Sequence, residues 1–214
     1  MLIKLDMENV KVDISSTAIE KGIDLIAGFI EKLAGSSLEE AGLLLADHVK
    51  LRRLKNQIKI FSSAKKIAEE NNFKIKQINL KMLVPLLEFS SLEEDETLQQ
   101  KWCNLIVNFS DESQNYESSI FPFILNQLSS REVMELDKLK LIEQIEVNRQ
   151  KRIASTKLSD IEISNLIRLG VLERIIIEGF PFYEPDGSVY YTVSALGKEF
   201  INCCSNNRKN NGVN

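Results

Sequence analysis

Apolar residues recur at helical spacing along most of the chain. Between residues 18 and 34 they fall at Ile19, Ile23, Ile26, Ile30 and Leu33, with Ser15, Ser16 and Thr17 as candidate caps and Gly35 as a stop. Ser37 and Glu40 then open a second helix in the capping-box pattern. Its apolar stripe passes through Ala41, Leu45, Val49, Leu54, Ile58, Phe61, Ala64 and Ile67, and no proline interrupts it before Asn71. A single long second helix is therefore expected. Leu80 to Phe89 reads as a short apolar helix containing Pro85. Ser91 and Glu94 read as another capping box, ahead of a helix from Leu92 to about Phe109 whose apolar face is Leu98, Trp102, Leu105, Ile106 and Phe109. Ile120 to Leu128 is a further short helix, with Pro122 in its tolerant first turn. Ser129 and Glu132 cap a helix expected to reach about Val147 through Val133, Leu136, Leu139, Ile142 and Ile145.

The pattern changes beyond that point. Asn148 to Thr156 is basic and reads as a linker, and Asp160 caps a helix that Gly170 ends. Val171 to Glu178 and Val189 to Val193 are β-branched, and Glu184-Pro-Asp-Gly187 between them is a turn. Ser194 caps a final helix through about Cys204. The fold class expected is mainly α: a helical body with a long second helix, plus a C-terminal winged-helix-like subdomain carrying a two-stranded β-hairpin. The boundaries are an N-terminal extension over 1–14, a helical domain over 15–128, the winged-helix-like subdomain over 129–204, and a polar, disordered tail over 205–214.

Composition narrows the function classes. Cys103, Cys203 and Cys204 make an odd count, and two are adjacent, which argues for reduced thiols and a cytoplasmic protein. His48 is the one histidine, which removes most zinc-site patterns. No segment reaches the roughly 18 apolar residues of a membrane span. The first helix is apolar enough to interest a membrane surface, although Glu20, Lys21, Asp24, Glu31 and Lys32 favour packing. No nucleophile elbow or phosphate loop appears, so no enzyme, catalytic residue, cofactor or metal is expected. Glu93-Glu-Asp-Glu96 fits the start of a helix, where carboxylates meet the positive end of the dipole, better than a cation site.

The formal net charge is −4, but the charges are segregated. From His48 to Lys81 ten basic residues face only Glu69 and Glu70, whereas from Ser90 to Ile120 Lys101 faces seven acidic residues. Two solvated faces of opposite sign are the plainer reading, and contact with an anionic partner or a second copy is the functional one. The residues expected to carry such a contact are Lys50, Arg52, Arg53, Lys55 and Lys59. The C-terminal module from Lys157 to Cys204 has four basic and seven acidic residues, so phosphate attraction there is unfavourable.

Three stretches together resemble the bacterial abortive infection alpha family. They are Ala41-Gly42, Asp47 and Arg52 through Asn56 to Lys59; Pro85-Leu-Leu-Glu88, Ser91 to Glu96, Leu98, Trp102, Asn104 and Leu105; and Leu169-Gly170 with Tyr191 to Gly197. The resemblance covers about 36–200, with Cys103 and Ile106 as mild departures. It implies defence against bacteriophage and supplies no catalytic residues. The expected function is a non-enzymatic phage-defence protein acting through macromolecular contacts, with an unknown, phage-derived protein or a second copy as partner. The alternatives are a winged-helix regulator binding nucleic acid and a membrane-active effector using the first helix.

Overall fold

The computed structural model describes residues 21, 26, 28–33, 35, 51–140, 145–148, 153–154, 156–175 and 188–206. The expectations for the N-terminal extension, the cap at Ser37, the first half of the long second helix, Lys50, His48, the Glu184–Gly187 turn and the tail beyond 206 fall outside these residues. Residues 28–33 are helical. They are followed by α1 (Leu51–Glu70), α2 (Leu80–Ser90), α3 (Glu96–Ser110), α4 (Phe121–Leu125) and α5 (Ser130–Leu139). The C-terminal module continues with β1 (Ile145–Asn148), β2 (Ile153–Ala154), α6 (Asp160–Arg168), β3 (Leu172–Arg174), β4 (Ser188–Val193) and α7 (Ala195–Cys203).

The chain is mainly α with a small antiparallel sheet near its C-terminus, as the apolar periodicity predicts. The two expected strands are β3 and β4, paired from Leu172↔Val193 to Arg174↔Tyr191. The sheet extends further than expected, because β1 also pairs with β4 and the order is β2-β1-β4-β3. This corrects the reading of 131–156 as a long helix and a linker. The helix stops at Leu139, and Ile145 to Ala154 supplies two strands. Ile142 and Ile145 continue the helical spacing by coincidence, and the β-branched run Ile145-Glu-Val147 finds an open edge on β4.

Helix α3 is the axis of the core. From Leu98 to Ser110 every residue except Gln100 is buried. Trp102, Phe109, Phe61 and Phe121 are among the largest fully buried side chains. Phe121 joins three helices, stacking on Phe109 at 6.2 Å and meeting Phe200 edge-on at 5.8 Å. Burial of such aromatic side chains stabilises the fold by roughly 2–3 kcal/mol each. The apolar face of the first helix belongs to the same core, since Ile26, Phe29, Ile30 and Leu33 are all buried.

Two caps differ from expectation. The N-cap of α3 is Asp95, whose side chain accepts from the amides of Thr97 and Leu98. Ser91 instead closes α2 by donating to the Glu88 carbonyl. Helix α6 is capped by Ser159, one residue before the expected Asp160, in a capping box with Glu162. The box at Ser129 and Glu132 and the cap at Ser194 form as expected.

Candidate contact surface

The basic and acidic segments are brought together by the fold. Residues 74–76 run against the end of α3, where Lys76 N donates to the Ser110 carbonyl and Glu112 N to the Lys74 carbonyl. Lys74 and Glu112 consequently pair at 2.8 Å, while Lys76 Nζ reaches the Gln114 carbonyl at 2.7 Å. Further along, α1 lies against the start of α3 and Lys59 Nζ meets Glu96 Oε1 at 3.2 Å. Lys65 and Lys66 face Glu69 and Glu70 one turn later on their own helix. These pairs are exposed, so each contributes no more than about 1 kcal/mol. Their larger effect is to cancel much of the local field.

Of the five residues expected to make a contact, the structure places three side chains. Lys55 is exposed. Lys59 is exposed and paired with Glu96. Arg53 is half-buried, and its Nε is buried with no hydrogen-bond partner. Arg52 lies on the same helix, with its side chain outside the described residues, as Lys50 is entirely. Arg53, Lys55 and Lys59 thus share one helix but not one uniformly charged face.

A cleft of about 310 Å³ opens between α1 and α3 beside this pair, bounded by Lys59, Ser63, Glu96, Gln99 and Cys103. Gln99 Nε2 donates to the Glu93 carbonyl, which fixes the amide and leaves a buried Oε1 without a partner. Burial pushes the Cys103 thiol up to about 12, so it stays protonated and is a poor nucleophile. Burial raises Cys203 and Cys204 likewise. In the acidic run, Glu93, Asp95 and Glu96 are engaged in contacts around the start of α3. Glu93 accepts from the amides of Glu94 and Asp95, Asp95 is the cap, and Glu96 pairs with Lys59. Among the described residues no group of three or more His, Cys, Asp or Glu is arranged around a metal position.

On the C-terminal module Arg168 and Arg131 are committed. Arg168 donates to Gln127 Oε1 and Asn165 Oδ1, at 2.9 and 2.7 Å. Arg131 donates to the Lys157 carbonyl and sits 3.5 Å from Glu162. The first turn of α6 instead presents Ile161, 82% exposed. No described helix is long and apolar enough to cross a membrane.

Sequence reasoning missed the groups that tie the C-terminal module to the body. Asn104 Nδ2 donates to the Cys204 carbonyl at 3.1 Å, and Asn108 Nδ2 to the Cys203 carbonyl at 2.7 Å and the Ser205 carbonyl at 3.1 Å. One turn apart on α3, they satisfy the carbonyls that the end of α7 leaves open. Lys101 Nζ lies 2.7 Å from both oxygens of Asp137 and joins α3 to α5. The available signal was the series Lys101, Asn104 and Asn108 along one helix, since polar groups that become buried need partners.

Matched against known protein families, the chain fits the abortive infection alpha family over residues 46–204. No curated protein and no solved structure matches it.

Proposed function

The chain belongs to the abortive infection alpha family, and from that membership we propose that it is a phage-defence protein acting by macromolecular contact rather than by catalysis. The observation that carries this reading is what the family-like residues do in the fold. Trp102 and Leu105 fill the core, Asn104 holds the end of α7, and Ser194 and Gly197 set the start of α7. They build a scaffold, and the buried cysteines beside them carry raised thiol pKa values that suit packing better than attack. What such a scaffold offers is a surface. Arg53, Lys55 and Lys59 on α1, with Lys50 and Arg52 before them, are the proposed contact for an anionic partner surface.

The winged-helix-like module is a weaker candidate for DNA. Arg168 and Arg131 are tied to Gln127, Asn165 and Glu162, and an isoleucine occupies the first turn of α6. Duplex binding that fell steeply with salt would favour this second reading.

The testing experiment is phage infection of a susceptible bacterium, with and without the gene, at low and high phage-to-cell ratio. Protection at low ratio with collapse of the culture at high ratio is expected. Failure to protect against a broad phage panel would leave the family membership as a statement about fold.

A further inference from the structure

Among the described residues, three of the six exposed large apolar side chains, Leu92, Ile120 and Phe123, lie around α2 and α4, the others being Met134, Ile161 and Ile167. Phe123 is 45% and Ile120 46% exposed, three residues apart around the start of α4. Phe123 packs edge-on against Phe89 of α2, with ring centroids 5.2 Å apart. Leu92, 54% exposed, follows Phe89 through a turn in which its amide donates to the Phe89 carbonyl. Phe89 itself is half-buried. A small domain gains by burying such groups, and an aromatic pair left at the surface beside two aliphatic residues marks a contact site.

The exposed charges next along the chain to these residues are acidic. Glu88 is exposed, precedes Phe89 and lies one turn before Leu92, while Glu117 is exposed three residues ahead of Ile120. Most neighbouring carboxylates are already engaged: Glu93 and Asp95 at backbone amides, Glu96 and Glu112 on lysines. Carboxylates at the edge repel phosphate, so a nucleic acid or an anionic lipid surface fits poorly. A second copy has fewer cations to offer, Lys55 and Lys81 being the exposed lysines of the basic segment for which no ion pair is seen among the described residues. The described basic segment of this chain is packed against α3, with Lys59, Lys65, Lys66 and Lys74 facing carboxylates of their own chain.

We propose that Phe89, Leu92, Ile120 and Phe123 form a docking face for a basic amphipathic segment of a different protein, with apolar side chains covering the aromatic pair and cations meeting Glu88 and Glu117. The proposal rests on the contact reading above and adds a second surface, opposite in charge to α1, with a partner of defined chemistry.

The test uses the full chain and a fluorescent synthetic peptide with leucine and lysine at helical spacing, followed by anisotropy at low and moderate salt. The peptide is expected to bind, and a version with glutamate in place of lysine is not. Phe123→Ser should weaken binding about tenfold, and Glu88→Lys with Glu117→Lys by a similar factor, each with unchanged circular dichroism. Equal binding of the acidic peptide, undiminished binding by either variant, or no binding at millimolar peptide overturns the proposal. So does self-association that Phe123→Ser abolishes, which would give the face to a second copy. Loss of the docking face with phage protection retained overturns this inference alone, whereas absent protection with intact peptide binding counts only against the defence role.

Discussion

Asn108 illustrates how much of this fold depends on single polar atoms. Its amide donates to two carbonyls at the end of α7, those of Cys203 and Ser205, the first in a buried setting that water cannot reach. Asn108→Ala should lower stability by about 1–3 kcal/mol in urea unfolding, and Asn108→Asp by more, because a carboxylate would face carbonyl oxygens. Gly197 is demanded by space. A Cβ there would stand 2.2 Å from the Val171 carbonyl oxygen and 2.9 Å from Val193 Cγ1. Gly197→Ala should therefore cost at least about 2 kcal/mol, seen as a lower thermal midpoint. The Lys101–Asp137 pair is asymmetric, with the lysine side chain 11% and the aspartate 43% exposed. Asp137→Ala strands a nearly buried ammonium and should cost about 2 kcal/mol, whereas Lys101→Met leaves a carboxylate that water can reach and should cost less. Equal losses in a double-mutant cycle would contradict that asymmetry.

At the scale of elements, α5 and α6 are joined through carboxylates that need their charge. Glu135 receives Lys138 Nζ at 2.5 Å, Lys157 N at 3.1 Å and Thr156 Oγ1 at 3.3 Å. The Lys138 hydrogen bond, more than the opposing effect of burial, holds its carboxyl below the ordinary value. For Glu162, burial works against the charge, but the Ser159 amide and hydroxyl and the Arg131 guanidinium outweigh it and lower the pKa. A depressed folded pKa adds stability above the unfolded carboxylate range, and that stability is lost as pH falls through the folded value. Stability should therefore decline below about pH 4.5, and Glu135→Gln should be less stable at neutral pH and flatten that decline in a pH series of denaturant midpoints. The helical order was legible in the sequence because its signals are local: apolar spacing, the Ser129 box, the Gly170 stop with its φ of +72°. Strands β1 and β2 were not, because Ile142 and Ile145 keep the helical period and the edge of β4 that recruits β1 is forty or more residues away. Ser91 misled for a related reason: Asp95 competes for the same cap and wins two amides.

For the whole molecule, the opposite charge runs are partners rather than independent faces. Their segregation was legible in the sequence, but their pairing was not, since Lys59–Glu96 and Lys74–Glu112 join residues nearly forty positions apart. Exposed pairs of this kind are screened by salt. Raising ionic strength should thus shift stability only slightly, while partner binding through α1 weakens markedly, as paired titrations of unfolding and binding would register. Lys55 and Lys59, the exposed cations described near the start of α1, can accordingly be reversed without unfolding the chain, because the Lys59–Glu96 pair contributes no more than about 1 kcal/mol. This separates scaffold from surface and exposes the contact account to a direct test. The decisive measurement is phage protection at low phage-to-cell ratio by a variant with Lys55 and Lys59 changed to glutamate, its fold checked by circular dichroism, with Arg53 kept because its Nε is buried. This culture should collapse like one lacking the gene; full protection by the folded variant would show that these cations do not make the contact.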